Sequence, residues 1–508
     1  MATADVKPIA TVSGAQANPE GEMDALLLGR TRELVVSSPN ERNWRGIFIA
    51  LLVIVAVLGL IVFSIVLVSP PEEGSRVKGE KPTLEDIYLK LPEPAKFNGT
   101  WISDTEFVYR DIFGGISIYN AENLTTSTFL TNTTFRQYNV VDFRTSRDLK
   151  FVLLITDLRH NFDYSTLAQY YILEVSSGYT KPLSPKELDD SAPFLKYATW
   201  STNGTSIAFV HNNDIYYKPK VQKDLVCRIT STGGEDIFNG VPDWIYETEI
   251  LKTDHTLWFS PDGLYLMYAT FNDSKVGEYT YTWYDSGNPK AKYPEVKSIK
   301  YPKVESNNPE VTVWIVNLSA PKYLFPVQLK PTSSVENGSY LTSASFYGDH
   351  DVALVWLNRR QNVSVILSCR AQNNFNCTDY RPLKLSYLHI KLVLDSYFTE
   401  RYLGIPSQQF LEYEKADLTK RASNMRGKHF LLIHGTADTT VKPQHSMRLA
   451  RSLIDYDILF RQLVYPDESH TFSKKGLMHM YKEIDQFFNE SFGPSLDDWE
   501  ENTGFFMQ

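Results

Sequence analysis

One membrane-crossing helix, then a β-propeller, then the closing strands and helices of an α/β sheet: this is the fold class that the 508-residue sequence predicts. Three observations predict it. Residues 46–68 carry no charge; residues 96–380 are short Val/Ile/Tyr/Phe runs cut by Asn-Gly, Asp-Gly and Gly-Gly turns; and from 385 the texture becomes buried strand, loop and helix. At 43% hydrophobic the chain has enough apolar residues for large cores, and a length prior gives about three domains. Lys plus Arg (51) are outnumbered by Asp plus Glu (60) and no basic stripe is present, so no nucleic-acid partner is expected.

The first element is GIFIALLVIVAVLGLIVFSIVLV, Gly46 to Val68, 23 residues. At 1.5 Å per residue it is just long enough to cross about 30 Å of hydrocarbon. A cleaved signal peptide fits poorly, because 45 residues precede the run and Ser69-Pro-Pro-Glu-Glu is no small-residue cleavage site. Arg42 and Arg45 lie nearer the run than Arg76, Lys78 and Lys81, which puts residues 1–45 in the cytosol. Ten Asn-x-Ser/Thr sequons point the same way: Asn98, Asn123, Asn132, Asn203, Asn272, Asn317, Asn337, Asn362, Asn376 and Asn489 all follow the run, and none precedes it. The expectation is a single-pass type II glycoprotein of the plasma membrane with its C-terminal portion outside. On that side Cys369 and Cys377, eight apart in a turn-rich stretch, can form a small-loop disulfide, leaving Cys227 as a buried thiol.

Residues 69–95 read as a stalk with a short helical pattern from Thr83 to Leu91. The propeller follows from an internal echo. Trp200-Ser-Thr-Asn-Gly-Thr-Ser-Ile and Phe259-Ser-Pro-Asp-Gly-Leu-Tyr-Leu share a Ser, a turn pair and a strand, with weaker copies at Ser103 and Ser146. Their anchors Asp104, Asp148, Asn203 and Asp262 are 44, 55 and 59 residues apart, a period suited to blades of short antiparallel strands.

In residues 385–494, Phe430 to Ile433 closed by a Gly turn has the form of a buried parallel strand. Ser446–Ile454 then reads as a helix, Phe460–Tyr465 as the next strand and Leu477–Phe488 as an amphipathic helix. Asp438 and His470 each follow a strand at once. In α/β-hydrolases the order is nucleophile, acid, histidine, so Asp438 is placed to orient an imidazole at His470; the plain competing reading is a solvated loop Asp and a surface His.

Asp395-Ser-Tyr-Phe-Thr-Glu-Arg-Tyr-Leu-Gly, His434-Gly-Thr-Ala-Asp438 and Tyr465-Pro-Asp-Glu-Ser-His470 resemble C-terminal signatures of the dipeptidyl-peptidase IV family, in the prolyl oligopeptidase group. Asp243-Trp-Ile-Tyr-Glu-Thr-Glu249 resembles that family's propeller motif, whose glutamates bind a substrate's free amino terminus. Glu41-Arg-Asn-Trp-Arg-Gly-Ile47 and the Tyr-Pro-Asp-Glu-Ser-His string are similar to the non-catalytic dipeptidyl-peptidase-like subgroup, auxiliary subunits of voltage-gated potassium channels. The resemblance implies a β-propeller packed on an α/β-hydrolase domain, an extracellular serine peptidase scaffold, a homodimer, a channel partner, catalytic roles for Asp438 and His470, and substrate contacts from Tyr246, Glu247 and Glu249.

The departures qualify it. No G-x-S-x-G occurs anywhere, and the nearest string, Gly204-Thr-Ser-Ile-Ala, precedes the acid and lacks the second Gly. About 130 residues follow Tyr380, too few for the remaining blades and a whole hydrolase sheet, so the join near Pro382–Ile390 reads as an internal deletion. Thr248 stands where the family motif has the first of its paired acids, and Leu394 and Phe398 stand where active relatives carry tyrosines of the proline pocket. The expectation is a propeller and a hydrolase that are both incomplete, without catalysis in this chain. The alternative is a post-proline dipeptidyl peptidase whose nucleophile lies in the missing segment. No H-E-x-x-H, Cys-x-x-Cys, P-loop or G-x-G-x-x-G is present, so no metal or other cofactor is expected. The acidic end, 495–508, reads as a solvated tail.

Overall fold

The computed structural model describes residues 43–68, 83, 85–87, 98–186, 191–284, 292–384 and 395–493. Most of the stalk, Leu394, residues 385–390 of the join and the acidic tail therefore lie outside the described residues. The chain divides into two units, residues 1–81 and 82–508.

In the first unit, the apolar run forms one helix, Trp44–Val68, begun two residues earlier than the charge-free stretch because Asn43 caps it: its Oδ1 accepts the Gly46 N–H at 3.1 Å. It is apolar all round, exposed along its described length, and long and apolar enough to cross a membrane.

The second unit begins with five antiparallel sheets in chain order. The first comprises Thr100–Trp101, Glu106–Arg110, Ile116–Asn120 and Thr125–Leu130. Asp142–Thr145, Phe151–His160, Thr166–Glu174 and Thr180–Pro182 make the second, and Tyr197–Trp200, Ile207–His211, Asp214–Lys218 and Cys227–Arg228 the third. The fourth is built on Leu257–Phe259, Tyr265–Asn272 and Glu310–Asn317, and the fifth is Tyr340–Tyr347, Asp351–Leu357, Val363–Cys369 and Cys377–Lys384. An arm, Glu278–Trp283 paired with Glu295–Lys300, projects from the fourth.

All four sequence echoes fall in one structural place, the turn leading into the second strand of successive sheets. Asp148 Oδ1 accepts from Ser146 Oγ and the Lys150 N–H, and Asp262 Oδ1 accepts from Ser260 Oγ and the Leu264 N–H. Asn203 Oδ1 takes the Thr205 N–H in the same way, whereas in the first sheet Ser103 Oγ serves instead. These short polar side chains satisfy backbone donors that the reversal leaves unpaired. The fifth sheet turns through Gly348-Asp349-His350 with no Ser-x-Asp/Asn pair, so the echo misses it.

Each sheet packs face to face on the next. Along Phe151–His160, Val152 and Leu154 join Val108 and Ile116 of the first sheet, while Leu153 and Ile155 join Ile207 and Phe209 of the third. The period-two alternation of a strand thus buries both faces. The same division puts Leu266 and Tyr268 against the third sheet and Met267, Ala269 and Phe271 against the fifth, in the largest cluster of the molecule. This stacking is the arrangement of propeller blades.

The Cys369–Cys377 disulfide is present, joining residues directly opposite in the fifth sheet. Cys227 enters no disulfide, but it is half-buried rather than buried, because its two-residue strand is the last of its sheet.

The closing portion departs from this antiparallel pattern: Leu431–Gly435 and Arg461–Tyr465 pair in parallel, joined by the helix Pro443–Asp455. Pro443 sits at the helix's first turn, where its missing N–H costs nothing. The last helix, Lys474–Phe492, starts at Ser473, whose Oγ accepts the Gly476 N–H. The core here is small, Ala422, Leu453 and Ile458, and large apolar side chains stay in solvent, Leu459 at 91% exposure and Phe492 at 83%.

Candidate functional site

Two loops at the carboxyl ends of the parallel strands bring Asp438 and His470 together. Gly435 makes this approach possible: a Cβ there would lie 2.2 Å from the Glu468 carbonyl oxygen. Thr436 Oγ1 then accepts the Asp467 N–H at 2.8 Å, and the Ala437 N–H donates to the Glu468 carbonyl. The His-Gly-Thr-Ala-Asp string is thus a docking face for the Pro-Asp-Glu-Ser-His loop.

His470 Nδ1 lies 2.9 Å from Asp438 Oδ2. Asp438 is itself buried and fixed, its Oδ1 accepting the N–H groups of Thr440 and Val441 at 2.9 and 2.8 Å. With Nδ1–H donating to the carboxylate, His470 presents Nε2 as an acceptor, the state of a general base. The imidazole is 56% exposed, and among the described residues no hydroxyl hydrogen bonds to it. His434, which the Asp also approaches at 3.5 Å, is used structurally: its Nε2 donates to the Val441 carbonyl and its Nδ1 pairs with Ser446 Oγ. A cavity of about 590 Å³ lies at the other end of the strands, lined by Lys428, Phe430, Leu459 and Phe487, and does not adjoin this pair.

The propeller motif runs into a single π-helical turn, Tyr246–Ile250, of which Tyr246 to Glu249 are buried and Ile250 is half-buried. Tyr246 is 1% exposed, and its hydroxyl accepts the Leu341 N–H, so it ties the fourth sheet to the fifth. Glu247 Oε1 accepts two backbone N–H groups, Tyr164 at 2.9 Å and Ser165 at 2.7 Å. Burial raises its pKa and those bonds oppose the rise. Thr248 Oγ1 is buried with no hydrogen-bond partner, at the position where the family pattern has an acid. Glu249 is 8% exposed.

Sequence reasoning missed Lys442, the residue that relates the two sites. It is 2% exposed, and its pKa is pushed down to about 7 by burial, against the attraction of Asp438, Asp395 and Glu249. Asp395 caps the helix Ser396–Leu403 by accepting the Phe398 N–H, and burial raises it to about 6. The available signal was a lysine four residues after the candidate acid, but its surroundings come from distant chain. Phe398 lies beside Tyr397, whose ring meets Tyr340 edge-on. Arg359 grips the fully buried Glu400 with two bonds of 2.7 Å, fastening this helix to the fifth sheet.

Residues 146–399, half the chain, match the family profile described as "Dipeptidyl peptidase IV (DPP IV) N-terminal region", and residues 385–495 match "Prolyl oligopeptidase family". Among curated relatives, "Inactive dipeptidyl peptidase 10" of Rattus norvegicus is 35% identical over 67% of this chain and 42% of its own length. "Prolyl endopeptidase FAP" of Mus musculus is 35% identical over 62% of the chain and 40% of its own length, and "Dipeptidyl peptidase 4" of Bos taurus 32% over 64% and 42%. The chain therefore spans about two-fifths of the length of these relatives. The solved structure of dipeptidyl peptidase 4 from Porphyromonas gingivalis superposes with a TM-score of 0.69 at 14% identity, covering 82% of this chain and 100% of that one, a likeness of fold. By its matching profile over half its length, the chain belongs to the dipeptidyl peptidase IV family.

Proposed function

We propose that this chain is a single-pass type II membrane glycoprotein that acts by binding, as an auxiliary subunit of a voltage-gated potassium channel, and does not catalyse peptide hydrolysis. The observation that carries the absence of catalysis is the Asp438–His470 pair: its geometry is intact, yet no hydroxyl meets the imidazole among the described residues and no G-x-S-x-G exists in the sequence. Without its nucleophile such a triad retains at most about 10³ to 10⁴ over the water reaction, and that remnant depends on an oxyanion hole built at the same elbow. The similarity to a relative named inactive agrees. The channel partner rests on the resemblance of residues 41–47 and of the loop ending at His470 to the channel-associated subgroup.

The apolar helix Trp44–Val68 supports the anchor, and the sequons support the orientation. Eight of the ten asparagines are exposed, and Asn132 and Asn272 are half-buried. Co-expressing the chain with an A-type potassium channel and recording inactivation tests the role: altered gating is the expected result, and unchanged currents despite surface delivery refute it. A second reading has one specific support, the preserved hydrogen bond between Asp438 and His470, which a pure binding protein does not need. In that reading a longer product with an intact serine is a post-proline dipeptidyl peptidase. Release of an X-Pro dipeptide from a chromogenic reporter by the longer product would establish it, and an inert product would dismiss it.

A further inference from the structure

Lys442 belongs to the turn that follows Asp438, yet its ammonium lies among rings from the propeller. Nζ stands 3.8 Å from the centroid of Tyr301, 4.6 Å from Trp244 and 4.9 Å from Tyr279. Trp244 lies two residues before the π-helical turn, Tyr279 belongs to the arm and Tyr301 directly follows it, so three separated stretches converge on one nitrogen. Trp244 and Tyr301 also pack on each other, with centroids 4.9 Å apart. The charged groups acting on the nitrogen are Asp438, Asp395 and Glu249, which favour a cation, and Lys303, which opposes one; Nζ also donates to the Thr439 carbonyl.

A lysine stem packed for its volume is the simplest account, but it leaves the cost unexplained. A methionine or leucine would fill the same space without desolvating an amine. Three aromatic faces with carboxylates nearby are the chemistry that recognises ammonium ions.

We propose that Trp244, Tyr279 and Tyr301, with Glu249, form an ammonium-binding box, and that Lys442 is its tethered occupant, closing the box to external primary amines. The inference goes beyond the binding role proposed above and stands whether or not a channel is the partner. To the amino-terminus contact that the family resemblance implies for Glu249 it adds an aromatic box and an internal occupant, which only the folded chain assembles. It also supplies a reason for the missing catalysis separate from the lost serine, since a peptide amino terminus approaching Glu249 competes with an internal cation at high effective concentration.

Chemical rescue tests it. The full chain in detergent, with Lys442→Ala, is melted at pH 6 with n-butylammonium chloride or with 1-butanol at equal concentration. The expected result is a rise in Tm of roughly 2 °C with the ammonium, none with the alcohol, and none for the unsubstituted chain. Glu249→Gln added to Lys442→Ala reduces the rise, and Lys442→Met, which fills the box, abolishes it. If both additives act equally, the space is an apolar void and the proposal fails; it fails too if neither acts, or if the unsubstituted chain responds as strongly. Should Lys442→Ala accumulate too little folded protein to melt, its yield at the cell surface with each additive in the medium makes the same distinction: recovery by the ammonium alone supports the box, and recovery by both or neither overturns it. The readout is binding rather than turnover or gating, so its outcome is independent of the channel experiment.

Discussion

The two halves of the folded unit hold their candidate residues in opposite ways. In the propeller, the Tyr246–Ile250 turn sits inside the largest apolar cluster, whose buried members run from Trp244 through Phe271 and Leu354 to Tyr397. In the hydrolase portion, Asp438 and His470 are held by backbone bonds between two loops above a two-stranded sheet with a core of Ala422, Leu453 and Ile458. The comparison teaches that the Asp438–His470 geometry is set locally by two loops, whereas the Tyr246–Ile250 turn depends on the whole stack of sheets. A two-stranded sheet is marginal by itself, so the hydrolase portion leans on its attachments to the propeller.

Four substitutions sharpen that contrast, in descending order. Phe271→Ala removes a fully buried ring between the fourth and fifth sheets and should cost about 4 kcal/mol in denaturant unfolding; a cost below about 1 kcal/mol would show that the stack is not the source of stability. Arg359→Ala leaves the buried Glu400 carboxylate without its ionic partner, with the Glu305 N–H still donating to it, and should cost about 3 kcal/mol. Proteolysis should then release the hydrolase portion first; simultaneous loss of both halves would show them to be one cooperative unit. Replacing Cys369 and Cys377 by serine opens a loop of eight residues, with an expected loss of about 2 kcal/mol, and unchanged unfolding would contradict it.

Taken per pH unit, the last effect is the smallest, a slope of stability with pH. Lys442 has its folded pKa near 7 and an unfolded value of 10.5, so between those values the unfolded chain binds more protons. Its contribution therefore grows more favourable as pH rises from about 7 to 10.5, by about 1.4 kcal/mol per pH unit, and the burial penalty is complete below that window. Lys442→Met should flatten this component of the stability profile. Identical profiles for the two proteins would remove the reason to treat Lys442 as a buried titrating group.

Legibility followed the range of the interactions. The apolar N-terminal helix, the parallel strand pair and four of the five blade turns were readable because each is declared by neighbours in sequence: an uncharged run, an apolar block closed by Gly, a Ser with Asp or Asn one or two residues on. Asp438 and His470 were legible for the same reason, each lying just past a strand. The fifth turn escaped because its sheet uses different turn chemistry. Cys227 was misjudged because burial depends on what covers an edge strand.

What the sequence determined alone is the family, one helix long and apolar enough to cross a membrane, and the absence of a G-x-S-x-G string, since these are patterns of composition and spacing. Tertiary structure decided the rest: that Glu247 serves two backbone N–H groups, that Thr248 is buried with its hydroxyl unsatisfied, and that Lys442 lies among Trp244, Tyr279 and Tyr301. The physical reason is that desolvation and cation–π attraction are set by what surrounds an atom in space, and Lys442 meets its rings only after more than a hundred residues of intervening chain have folded.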